Sequence, residues 1–123
     1  MNFEETKNIY AFADGNVTTF KLEYEPRRFS IGLDIKKFKG KQKFEPCTIE
    51  LVFSGTTELY IFEDFPTSGG YTDITFVKLD TGEFYLTLDP YGNSGVPHDE
   101  DNFVMKAETL MFVNEAGEVN EVL

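Results

Sequence analysis

The run RFSIGLDIKKF, Arg28 to Phe38, puts Phe29, Ile31, Leu33 and Ile35 at every second position, with Ser30, Gly32, Asp34 and Lys36 between them. Successive side chains of an extended chain point to opposite faces, so this spacing lays four apolar groups along one side of a pleated ribbon. On a helix the same residues would scatter around the circumference without forming a stripe. The run reads as a half-buried strand, and its apolar face needs a second layer to cover it.

The same period recurs on both sides. In NVTTFKLEY, Phe20, Leu22 and Tyr24 share a face, and in CTIELVF the matching set is Ile49, Leu51 and Phe53. In EFYLTLD, Phe84, Leu86 and Leu88 point inward. The segment FVMKAETLMFV carries good helix formers. A strand still fits it, with Phe103, Met105 and Ala107 on one face and Leu110 and Phe112 joining them after a one-residue slip. Asp14-Gly15-Asn16, Tyr24-Glu25-Pro26-Arg27 and Asp80-Thr81-Gly82 carry turn chemistry, the last as a tight hairpin, while FPTSGGY reads as a looser corner. Ser54-Gly55 marks either a hairpin or a bulge in one bent strand. Residues 114–123 read as a polar tail with room for a short final strand.

Connections this short leave no room for crossover helices, so the strands are antiparallel. The fold class expected is all-β: one domain over residues 1–123, about eight strands in mostly meander order, closed as a sandwich or a flattened barrel. Thirteen Phe and six Tyr without Trp suit pleated, half-buried strands.

Charge is unevenly spread. Residues 1–45 hold nine Lys/Arg against seven acids, or +2, whereas residues 46–123 hold Lys78 and Lys106 against fifteen acids, or −13. Such a field repels nucleic acid phosphate and speeds encounter with a basic protein partner. Acidity that merely keeps a Phe-rich domain in solution is the plainer alternative. The start of the chain lacks the basic and apolar regions of a signal peptide, no run approaches a membrane span, and Cys47 is alone. These features point to a cytoplasmic chain with no disulfide framework and no membrane segment.

The stretch DPYGNSGVPHDEDNF, Asp89 to Phe103, holds the only histidine and a run of three acids. Counting calcium-loop positions from Asp89 puts Ser94 where Gly is required, and counting from Asp99 runs into Phe103. One His with no second His or Cys falls short of the usual zinc set. His98 beside Asp89, Asp99 and Asp101 is a conceivable general base, and Cys47 or Ser94 a conceivable nucleophile. No Gly-x-Ser-x-Gly, phosphate loop or dinucleotide fingerprint accompanies them. The plain reading is a turn at Asp89-Pro90-Tyr91-Gly92, Pro97 barring strand pairing, and Asp99, Glu100 and Asp101 solvating a loop tip. At around 13 residues the loop is long for a hairpin, a length common in functional loops.

The run KKFKGKQK, Lys36 to Lys43, sets five lysines around one Gly. Contact with phosphate or a membrane surface is one reading. A solvated hairpin tip whose charges discourage edge-to-edge pairing is the plainer one.

CTIELVF, GYTDITF, FYLTLDPYG and DNFVMKAETLMF resemble, in strand pattern from roughly Val17 to Phe112, small β-rich immunity proteins of bacterial polymorphic-toxin systems and related bacterial families. The resemblance implies a non-enzymatic cytoplasmic protein that binds and blocks a toxin domain. It assigns no contact residues. The expected function is therefore non-catalytic binding of a basic protein, with no cofactor, metal, nucleic acid or membrane. Glu63, Asp64, Tyr91, Asp99, Glu100 and Asp101 are the candidate contacts. A small hydrolase or metal-binding protein centred on His98 is the alternative, and a homo-oligomer joined through an edge strand is a third.

Overall fold

The computed structural model describes residues 1–24, 27–60, 69–70, 74–92 and 95–123. It is an antiparallel β protein, 64% strand, whose sheet curls into a nearly closed barrel. The elements in chain order are helix α1 (Phe3–Ile9) and strands β1 (Tyr10–Tyr24), β2 (Arg27–Phe38), β3 (Phe44–Tyr60), β4 (Gly69–Gly70), β5 (Thr75–Lys78), β6 (Phe84–Asp89), β7 (Asn102–Val113) and β8 (Val119–Val122). The sheet order is β4-β1-β2-β3-β7-β6-β5, with β8 also on β7. Two meanders, β1–β2–β3 and β5–β6–β7, thus join through the β3–β7 pair.

Central pairing follows the alternation. Phe29 lies opposite Phe53, Ile31 opposite Leu51 and Leu33 opposite Ile49. All six are buried, and the rings of Phe29 and Phe53 stack at 4.7 Å. Phe84, Leu86 and Leu88 of β6 bring their apolar row to the same core.

Ser54-Gly55 resolves as one bent strand. Gly55 takes φ +64°, a conformation that strains any residue with a Cβ. Both paired strands change face there. The inward positions in β3 pass from Phe53 to Thr56, and those in β7 from Leu110 to Ala107. The slip in FVMKAETLMFV is the β7 half of this corner.

One turn expectation is corrected. Asp14-Gly15-Asn16 makes no turn, because β1 runs through it, absorbing the extra residues as register shifts between Ala11 and Asn16 and between Val17 and Thr19. Gly15 is buried there, where an added Cβ would sit 3.1 Å from Ile74 and 3.3 Å from Ile35. In residues 114–123 the short final strand forms as β8 (Val119–Val122). Asn114 to Glu118 forms a turn, with Gly117 at φ +81°, that returns β8 onto β7. The Leu79–Glu83 turn has the same hydrogen bonds, as its Asp-Thr-Gly chemistry requires.

Helix α1 starts at Asn2, a helix-capping residue followed by Glu4 and Glu5 in the first turn, a signal distinct from the period-two pattern of the rest of the chain. Its Asn2 Oδ1 accepts from the Glu4 and Glu5 amides. The helix closes the seam between β1 and β5. Phe3 packs edge-on against Phe76, Phe12 of β1 meets the same ring at 4.9 Å, and Lys7 donates to the Phe76 carbonyl at 2.7 Å. The terminal strand is fastened as well, since the Phe3 amide donates to Leu123 and the Leu123 amide to Met1. Among the described residues no helix is long and apolar enough to cross a membrane.

A polar latch holds the β7–β8 turn to the rest. Glu115 pairs with Lys37 and accepts from the Tyr10 hydroxyl at 2.9 Å. The Lys37 ammonium beside it, with help from Tyr10, lowers its carboxyl to about 2. Burial, and then Glu115, pushes the Tyr10 hydroxyl up, so it stays a donor.

Two outcomes follow. Tyr10→Phe should cost about 1 kcal/mol in urea unfolding. A folded carboxyl held below its unfolded value stabilises fully above the unfolded value and stops doing so as pH falls through the folded one. Glu115→Gln should therefore be less stable than the parent at neutral pH, with the difference shrinking below the usual carboxylate range and vanishing near pH 2 in acid-unfolding curves.

Candidate functional site

The segment between β6 and β7, residues 90–101, does more than turn a corner. β6 is buried on both faces: Phe84, Leu86 and Leu88 enter the barrel core, while Tyr85 and Thr87 on the opposite face are also buried. Val104 of β7 is a further buried apolar residue outside the main core cluster. The described residues of the loop, 90–92 and 95–101, fold back over this outer face of the sheet.

Asp101 fastens it. The sequence placed Asp101 in a solvated acidic tip, but it is 1% exposed. Its Oδ2 accepts from the Tyr85 hydroxyl at 2.6 Å and from the His98 amide at 2.8 Å, while Oδ1 accepts from the Tyr91 amide at 2.8 Å. A carboxylate taken from water needs such donors, and three of them tie β6 to both halves of the loop. Burial, followed by the Asp101 carboxylate, pushes the Tyr85 hydroxyl well above its ordinary value and keeps it a donor. The Asp101 amide donates back to the His98 carbonyl, and Thr87 Oγ1 donates to the Asn102 carbonyl. Phe103, next along, is buried at φ +51°, a costly conformation for an aromatic residue and one that the packing around it must hold.

The outer surface of the loop is aromatic and acidic. Tyr91, 67% exposed, stacks on the His98 ring at 4.3 Å and 14° between planes. Asp89, Asp99 and Glu100 are exposed around this pair. A cleft of about 400 Å³ opens beside them, lined by Pro97, His98, Asp99 and Asp101 of the loop and by Glu58, Tyr85, Val104 and Lys106 of the sheet. Lys106 is held by Glu83 at 3.6 Å.

Of the candidate contacts, Tyr91, Asp99 and Glu100 thus share one exposed surface. Asp101 lies beneath it, and Glu63 and Asp64 fall outside the described residues. The structure adds Glu58, which nothing in the local sequence marks, since β3 brings it in from a distant part of the chain. The signal for a covered outer face was present: FYLTL is nearly apolar at consecutive positions, as in a strand buried on both sides.

The groups considered for catalysis are differently arranged. His98 Nδ1 accepts from the Glu100 amide, and Asp101 meets the His98 backbone rather than its ring. Cys47 pairs with Ile35 near the other end of β3, with its thiol pushed up mainly by burial. Ser94 lies outside the described residues. Among the described residues no three His, Cys, Asp or Glu side chains converge on a metal position. Comparison with protein-family models, curated proteins and solved structures finds no match.

If Asp101 holds the loop, Asp101→Ala strands three donors beneath it. The expected cost is about 3 kcal/mol in urea unfolding, with faster hydrogen exchange at the Tyr91 and His98 amides. Unchanged exchange at both amides would count against the staple.

Proposed function

We propose that this chain is a non-catalytic binding protein that takes a basic protein partner on the acidic surface of the 90–101 loop, with Tyr91 as the aromatic anchor and Asp99, Glu100 and Glu58 as the charged contacts. The observation that carries the reading is an exposed Tyr91–His98 stack, ringed by acids, on a loop pinned from below by Asp101. A surface already fixed in shape loses little entropy on binding, and exposed aromatic residues are favoured anchors of protein interfaces. The −13 charge of residues 46–123 supplies long-range attraction. The strand-pattern resemblance to immunity proteins supports the narrower form, in which the partner is a toxin domain that the chain blocks in the cytoplasm.

A second reading is a small hydrolase. The cleft lined by His98, Asp99 and Asp101 favours it. It requires the imidazole to leave the Glu100 amide or to work through its other nitrogen.

The test is titration against the product of the adjacent gene, followed by calorimetry at low and high salt. Binding should weaken steeply with salt. Asp99→Lys with Glu100→Lys should lower affinity at least about tenfold, mostly through a slower on-rate, and Tyr91→Ala should lower it comparably through faster dissociation. A complex indifferent to all three changes would overturn this surface as the site. Loss of a hydrolytic activity in His98→Ala, with binding intact, would favour the second reading.

A further inference from the structure

The acidic loop lies near one end of β3 and the lysine-rich segment at the other. Tyr60, the last residue of β3, pairs with Val104 just beyond the loop, whereas Phe44, the first, pairs with Phe38 at the β2–β3 turn. β3 is seventeen residues long, roughly 55 Å if it ran straight, and it bends at Gly55. Charges are screened over about 8 Å at physiological ionic strength, so the acids that bear directly on the tip are those close to it, Glu45 and Glu115 among them.

The turn projects. The last residue of β7 on β3, Val113, pairs with Glu50, and β1 begins opposite Lys37, so the Phe38–Phe44 pair lies beyond both neighbouring strands. Gly40, Lys41 and Gln42 all take left-handed backbone, and the Lys39 amide closes the turn on the Lys43 carbonyl. Phe38 and Phe44 remain 43% and 51% exposed, packed edge-on at 5.1 Å, next to exposed Pro46 on the same outer face. Lys37 and Lys39 are occupied by Glu115 and Glu45. Lys36, Lys41 and Lys43 are exposed and make no ion pair among the described residues.

We propose that this tip docks on the surface of an anionic lipid bilayer. Phe38 and Phe44 enter the boundary between headgroups and acyl chains, while Lys36, Lys41 and Lys43 sit among the lipid head-group charges. A convex knuckle of apolar rings ringed by lysines suits a soft, flat surface, whereas a rigid protein partner would need a matching hollow. Single-stranded nucleic acid fits less well, because the two rings are engaged with each other and no arginine accompanies them. The proposal is independent of the acidic loop and its partner.

The experiment is co-sedimentation with phosphatidylcholine vesicles made with and without phosphatidylserine. The parent chain should sediment with the phosphatidylserine vesicles only, and added salt should release it. Lys41→Glu with Lys43→Glu should weaken binding at least about tenfold. Phe38→Ser with Phe44→Ser should weaken it about tenfold or more. Both variants should keep the parent's thermal transition, and Asp99→Lys with Glu100→Lys should leave vesicle binding in place. The proposal falls if the parent ignores phosphatidylserine, if salt does not release it, if either tip variant binds like the parent, or if an oligothymidylate strand competes the protein off the vesicles.

Discussion

The apolar row of Phe29, Ile31 and Leu33 packed beside Phe53, Leu51 and Ile49 sets the register on which every other strand depends. A one-residue slip between β2 and β3 would turn these side chains outward together, so the pairing has only one stable alignment. With β3 fixed, β7 pairs along its other edge and brings the second meander with it. Curvature follows at Gly55, where both strands change face and the sheet bends toward closure. The gap left between β1 and β5 is filled by α1, whose Phe3 joins the aromatic contacts around Phe76.

Two carboxylates, one buried and one exposed, organise the polar parts of the molecule in different ways. Asp101 is taken from water almost completely and satisfied by a phenol and two backbone amides, which makes it a structural post under the loop. Glu115 stays partly solvated and is neutralised by Lys37, with Tyr10 as a second donor. The first fixes the shape of an exposed surface. The second closes the β7–β8 turn against the barrel.

These posts leave the molecule with two unlike ends. One carries the stacked Tyr91 and His98 among acids, the other the paired Phe38 and Phe44 among lysines. The projecting β3 edge, residues 44–49, has β2 on one side only, and Pro46 lies within it. Proline has no amide hydrogen to offer a further strand, and the lysines nearby repel a like edge, so this end is poorly suited to sheet-to-sheet association.

Period-two patterning determined the strands, their inward faces, the hairpin at Asp80-Thr81-Gly82 and the antiparallel class, because those follow from backbone geometry acting over a few residues. Even the slip in FVMKAETLMFV could be read before its cause was visible. Asp14-Gly15-Asn16 misled because turn residues also suit a bulge, and only the pairing partner decides between them. The acidic run misled at Asp101 for a related reason. Three adjacent acids look alike in sequence, and only a tyrosine from β6 and two loop amides converging on one of them made it a buried post while Asp99 and Glu100 stayed in water. Long-range contact likewise brought Glu58 to the acidic surface and left Phe38 and Phe44 uncovered at the far end. Local chain geometry is written residue by residue, but which side chains are buried and which exposed depends on what the rest of the chain lays over them.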